Sequence, residues 1–243
     1  MVVPIYDDNP WRLPHRPIVT WGLIALNIVI FLAELGIVPV PDGLFAQLGV
    51  MPVTFLGNSV RPDLLSPVGT LFTYMFLHAD WGHLLGNMIF LWVFGDNVEE
   101  ALGRLRFLIF YLGSGALAAL AYIASDIHSD IPLIGASGAI AGVVVAYVML
   151  RPCAKVTVLV TIIPIRLSAY WVIGAFVLLQ IFSLGSASRS EVAYWCHFGG
   201  MVAGALLLLL LRPAGVRLFD CMQGQRLPVE PVPNASRLPP HRH

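Results

Sequence analysis

Six apolar segments, separated by loops whose lysine and arginine content alternates, leave this chain few ways to fold. They span residues 18–35, 79–95, 104–124, 137–150, 168–184 and 192–211. A helix needs about 20 apolar residues to cross a bilayer, and most of these segments reach or approach that length. Lysine and arginine test the division. With the N-terminus placed in the cytoplasm, the inner segments carry Arg12, Arg16, Arg104, Arg106, Arg151, Lys155, Arg166, Arg212, Arg217, Arg226, Arg237 and Arg242, whereas the outer segments carry only Arg61 and Arg189. Twelve against two is the bias expected of inner loops, and miscounting the spans by one would scramble it. Composition agrees: 58% of residues are hydrophobic and 12% are charged, against roughly 45–50% and about 25% in soluble domains. The expectation is an all-α membrane protein of six transmembrane helices with both termini cytoplasmic.

The connecting segments give the domain organisation. Residues 1–17 are polar and no small-residue cleavage site follows, so the first apolar segment is expected to be retained as a helix. Residues 18–212 form the helical domain. Its long first loop, at about 36–77, holds Pro39, Pro41, Pro52, Pro62 and Pro67, which argue against one continuous helix. Residues 213–243 are expected to be a disordered cytoplasmic tail. The apolar run 156–165 is only ten residues long and contains Pro164, so it is expected to be an interfacial or re-entrant connection. Cys153, Cys196 and Cys221 are odd in number and far apart, which suggests neither a disulfide framework nor a zinc knuckle.

Polar side chains at membrane depth are costly, so those present tend to be paired or functional. His78, His83 and Asn87 stand near the start of the second segment, Ser137 opens the fourth, and His197 lies near the start of the sixth. All three segments run from outside to inside, so these ends share one side of the membrane. Ser137 precedes Arg151 by fourteen residues and His197 precedes Arg212 by fifteen. Those separations are about 21 Å and 22 Å along a helix, short of a hydrocarbon core of about 30 Å. His83 lies at nearly the same level, thirteen residues before Asp96. Gly138 and Gly142 in the fourth segment, and Gly200 and Gly204 in the sixth, are pairs of small residues four apart, which let transmembrane helices approach closely.

A serine hydroxyl needs a base to become a nucleophile, and histidine suits that task near neutral pH. No Asp or Glu lies at this depth in the second, fourth or sixth segment, so a Ser137–His197 dyad is expected rather than a triad. Ser137 sits at a helix N-terminus, where free N–H groups favour developing negative charge. His83 and Asn87, four apart on one helix face, can supply further donors to an oxyanion. Cys196 adjoins the base on the same helix and is read as a small apolar residue, and His78 as a structural one.

These residues also carry a resemblance. Gly135-Ala136-Ser137-Gly138 resembles the GxSG motif of rhomboid intramembrane serine proteases. His83 and Asn87 match the family's HxxxN, His78 its preceding histidine, and His197-Phe198-Gly199-Gly200 with Gly204 its histidine–glycine pattern. The resemblance covers about residues 73–211. It implies a six-helix core, a Ser–His dyad, an oxyanion hole from the Ser137 N–H, His83 and Asn87, and cleavage of substrate transmembrane segments near their outer end. It also implies that the fifth helix and loop 185–191 gate substrate entry from lipid. Two departures stand out: Gly69-Thr70 where many bacterial members have Trp-Arg, and Ala141 where some carry a tyrosine stacked on the histidine. Tyr194 and Trp195 are the candidates to hold His197 instead.

Rival readings fare worse. A metalloprotease would need HExxH or an equivalent ligand set, and His78 and His83 are five apart with no third ligand. A transporter would show paired interrupted helices in two similar halves, and no such repeat is seen. An inactive relative that only binds transmembrane segments would usually lack the serine or the histidine. The sequence therefore points to a serine endopeptidase with membrane-protein substrates and the bilayer as partners, and with no cofactor, metal or nucleic acid. Arginine-rich inner loops fit a bacterial inner membrane.

Overall fold

The computed structural model describes residues 2–8, 16–36, 47–55, 66–186 and 194–221. Strand β1 (Val2–Asp7) is followed by helix α1 (Ile18–Glu34), the short helices α2 (Pro52–Phe55) and α3 (Pro67–Thr73), and a 3-10 turn at Tyr74–Phe76. Helices α4 (Trp81–Leu102), α5 (Arg104–Ser125) and α6 (Ser137–Leu150) come next, then strands β2 (Lys155–Val160) and β3 (Ile163–Ser168), and finally helices α7 (Ala169–Ser186) and α8 (Tyr194–Leu211). Each of the six apolar segments is therefore a helix. Among the described residues, α5 and α8 pass as candidate membrane spans by length and composition, while α1, α6 and residues Ala169–Phe182 of α7 are shorter apolar helices.

Helix α6 is the centre of the bundle. Most of its side chains are buried, among them Ile140, Val143, Val144, Tyr147 and Leu150. At 14 residues it is about 21 Å long, against about 33 Å for the 22-residue α5. The outer faces of its neighbours are apolar and exposed, as at Leu105 and Ile109 on α5 and Leu206 and Leu210 on α8. An apolar surface around an apolar core is what a lipid solvent requires. Helix α7 is the least enclosed: Leu178, Leu179 and Phe182 are 56%, 65% and 74% exposed.

Four features differ from the sequence expectations. The run 156–165 is not a simple connection but most of a β-hairpin, with Lys155 opposite Ser168 and Val160 opposite Ile163. Its β-branched residues favour a strand, and alternate ones, Val156 and Val158, point into the core. Pro164 is tolerated because β3 is an edge strand. The N-terminal segment completes the sheet, with β1 antiparallel to β2 from Val2 opposite Val160 to Asp7 opposite Val156. The all-α expectation thus gives way to a mostly helical fold with a three-stranded sheet.

The other two differences lie at the chain's end. Residues 213–221, expected within a disordered tail, are tied down: Phe219 N–H donates to the Met149 carbonyl and Asp220 N–H to that of Leu150. These bonds bring Cys221 to Cys153, and the two form a disulfide. The sequence suggests no disulfide, because a pair 68 residues apart carries no local pattern. The remainder of the tail, from residue 222, lies outside the described residues, as do much of the first loop and residues 187–191 of the expected gating loop.

Candidate active site

The chain approaches Ser137 through a loop pinned from both sides. Val50 and Leu133 exchange two backbone hydrogen bonds of 3.1 and 2.7 Å, and the Gly135 N–H donates to the Tyr74 carbonyl at 2.9 Å. The Tyr74 hydroxyl in turn donates to the Gly115 carbonyl at 2.8 Å, fixing the 3-10 turn to α5. Thr73 Oγ1 donates to the Leu48 carbonyl at 2.6 Å. These contacts anchor the first loop, which has Gly69-Thr70 in place of Trp-Arg. Gly135 has φ of +111°, a conformation that side-chain-bearing residues rarely adopt. From there the chain turns at Ala136 into α6, with Ser137 as its first residue.

The crossing of α6 and α8 sets the height of the two key side chains. Gly138 lies against Gly200 and Gly142 against Gly204: a Cβ on either α8 glycine would overlap α6 backbone atoms. This close approach leaves Ser137 Oγ 2.8 Å from His197 Nε2. Cys196, the neighbour of His197, is buried and turned towards Tyr74, with its sulfur 3.8 Å from the Tyr74 hydroxyl.

The second-segment residues gather beside Gly135. The His83 ring lies where a Gly135 Cβ would be, 2.5 Å from its Nε2, and Asn87 Nδ2 would be 3.7 Å from that Cβ. Asp80 caps α4 by accepting from the His83 N–H at 2.9 Å. Asn87 Nδ2 is 3.0 Å from Nε2 of the buried His78. His78 is also held by its own N–H, which donates to Glu34 Oε2 at 3.1 Å. The structure thus places His78, His83 and Asn87 in one cluster alongside the residue two before Ser137.

One contact has no counterpart in the sequence reading. Nδ1 of His197 is 3.0 Å from Oε1 of Gln180, on α7. Of the two residues expected to hold His197, Tyr194 meets it edge-on at 6.5 Å, while Trp195 pairs with Phe198. Gln180 had a signal available: it is the one charged or amide side chain in the apolar run 169–186, and polar groups in such runs are seldom idle.

Residues 66–214 match the family model for the Rhomboid domain. The chain is 28% identical to Rhomboid protease AarA of Providencia stuartii, with 88% of the chain and 83% of the relative covered. It is also 28% identical to Rhomboid protein 1, mitochondrial, of Saccharomyces cerevisiae over 85% of the chain and 60% of the relative. Its identity to RHOMBOID-like protein 5 of Arabidopsis thaliana is 30%, over 59% of the chain and 44% of the relative. The chain thus spans about half the length of these last two proteins. A match that takes in every residue of the cluster, on a bundle with an apolar exterior, makes the conclusion plain: this chain belongs to the rhomboid family of integral membrane proteins.

Proposed function

We propose that this chain is an intramembrane serine endopeptidase that cleaves transmembrane or membrane-proximal segments of membrane proteins. The observation that carries the reading is the 2.8 Å approach of Ser137 Oγ to His197 Nε2. In this reading His197 takes the hydroxyl proton as Ser137 attacks the scissile carbonyl, then returns it to the leaving amine. Water hydrolyses the acyl-enzyme by the same route in reverse. The Ser137 N–H, at the open end of α6, stabilises the oxyanion together with His83 and Asn87. Gly135 and Gly138 shape the turn that exposes the nucleophile, Gly200 and Gly204 admit α8 to α6, and His78 holds Asn87.

The accompanying topology is six spans within residues 18–212, both termini cytoplasmic, in a bacterial inner membrane. It is supported by the twelve-to-two distribution of basic residues. Entry of substrate past α7 is part of the same reading, supported by the exposure of that helix.

Ser137→Ala and His197→Ala should each abolish cleavage of a single-span substrate in proteoliposomes while the protein still inserts. A fluorophosphonate should label the unaltered protein and not Ser137→Ala. Cleavage by Ser137→Ala would defeat the dyad. A folded protein that neither cleaves nor labels would instead be a relative that binds transmembrane segments without cutting them.

A further inference from the structure

We infer that Gln180 is the positioning residue for His197, a role that rests on the serine-protease reading above. The two ring nitrogens have different partners: Nε2 faces Ser137 Oγ at 2.8 Å, and Nδ1 faces Gln180 Oε1 at 3.0 Å. For Nε2 to accept the serine proton it must be bare, so the neutral ring carries its proton on Nδ1. That N–H needs an acceptor in a place where water is scarce, and the amide oxygen is one. The bond therefore selects the tautomer and fixes the ring plane, the two tasks a carboxylate performs in water-exposed serine proteases.

An amide fits this setting better than a carboxylate would. Burying an ionised Asp or Glu at membrane depth carries a large desolvation cost, whereas an amide is neutral and costs far less. It also keeps its acceptor strength whatever the pH. The reach from α7 to α8 matters too. Gln180 is half-buried, while its neighbours Leu178, Leu179 and Phe182 face outward, so the amide is the polar tie between an exposed helix and the dyad. Moving α7 outward removes the acceptor, which makes the tautomer of His197 depend on where α7 sits.

The test uses the full chain in proteoliposomes with a single-span substrate, comparing the unaltered protein, Gln180→Leu, Gln180→Glu and Ser137→Ala. Gln180→Leu should lower kcat by roughly 10- to 100-fold, a fraction of what a misoriented triad histidine costs, and leave KM within about twofold. Gln180→Glu keeps a carboxyl at the same reach, but burial favours its neutral form. It should recover part of that loss only where the pH is high enough to ionise it, and match Gln180→Leu at lower pH. A second readout does not depend on turnover: with 15N-labelled histidine, the His197 resonances should report one Nδ1–H tautomer in the unaltered protein and a mixture in Gln180→Leu. Unchanged kcat and an unchanged tautomer in Gln180→Leu would overturn the inference, as would a folded Gln180→Glu no better than Gln180→Leu even at the alkaline end of the pH profile. If the unaltered protein neither cleaves nor labels with fluorophosphonate, the protease reading falls instead, and the tautomer comparison still decides whether Gln180 orients His197.

Discussion

At the scale of single residues, the cluster depends on atoms that are absent as much as on those present. Gly135 combines a left-handed φ with a neighbour, the His83 ring, that fills the space a Cβ would take. Gly135→Ala must therefore shift either the loop before Ser137 or His83, and cleavage and fluorophosphonate labelling should both fall by about tenfold or more, since an ångström of misplacement is that costly. Gly86, one turn along α4 from His83, is open: a methyl group added there would meet nothing within 4 Å. Gly86→Ala should leave activity intact and raise stability by up to about 1 kcal/mol, as expected for an unhindered helical glycine. Melting temperatures of the two variants, read beside their activities, separate a steric role from a propensity effect. The sequence marks Gly135 only by its place in a motif; the physical reason it must be glycine, the His83 ring beside it, is supplied by folding.

At the scale of elements, the sheet and the C-terminal end of α4 form one polar unit. Asp7 on β1 accepts from the Tyr147 hydroxyl at 2.7 Å and from Asn97 Nδ2 at 3.1 Å. Burial pushes the Asp7 carboxyl up to about 6, outweighing the hydrogen bonds from Tyr147 and Asn97 that pull it down. The folded state thus holds a proton that the unfolded chain releases near pH 4. This contribution to stability is complete below about pH 4 and is lost as pH rises through about 6. Asp7→Asn should flatten that part of the stability profile, measured as melting temperature between pH 4.5 and 7. A profile identical to that of the unaltered protein would mean that Asp7 does not titrate in this range. Glu99 is a second member of the unit: it is buried and accepts from Val19 N–H, Thr20 N–H and the Thr20 hydroxyl, supplying the start of α1 with the cap that Pro17 cannot. The apolar pattern ends the second segment at residue 95 because Asp96, Asn97, Glu99 and Glu100 read as surface. The helix runs on to Leu102, and partners on β1 and α1 make the buried Asn97 and Glu99 tolerable inside.

At the scale of the whole molecule, the chain closes on itself at the C-terminal end of α6. The disulfide between Cys153 and Cys221 links the start of the β-hairpin region to the segment after α8, 68 residues on. In the proposed topology it lies on the cytoplasmic side, where thiols are ordinarily kept reduced. A loop of that length should contribute about 2–4 kcal/mol when closed. Cys153→Ser should therefore lower the melting temperature of oxidised protein and change nothing in the presence of a reductant. Equal melting temperatures under oxidising conditions would show that the cross-link does not form. The sheet behaves similarly as a long-range feature: β1 pairs with a strand some 150 residues away, a partner that no local window of sequence can reveal.

By itself the sequence determined the helices and their order, because a bilayer imposes length and hydrophobicity on each apolar segment separately. The motif residues Ser137, His197, His83 and Asn87 were legible because they are polar side chains set in or beside apolar segments. Folding alone decided what those residues touch. The glycine-to-glycine crossing of α6 and α8 sets the 2.8 Å gap between Ser137 and His197, the left-handed turn at Gly135 admits His83, and α7 brings Gln180 to the far side of the imidazole. Contacts between helices distant in the chain depend on rotation and approach, to which hydropathy and charge counting are blind.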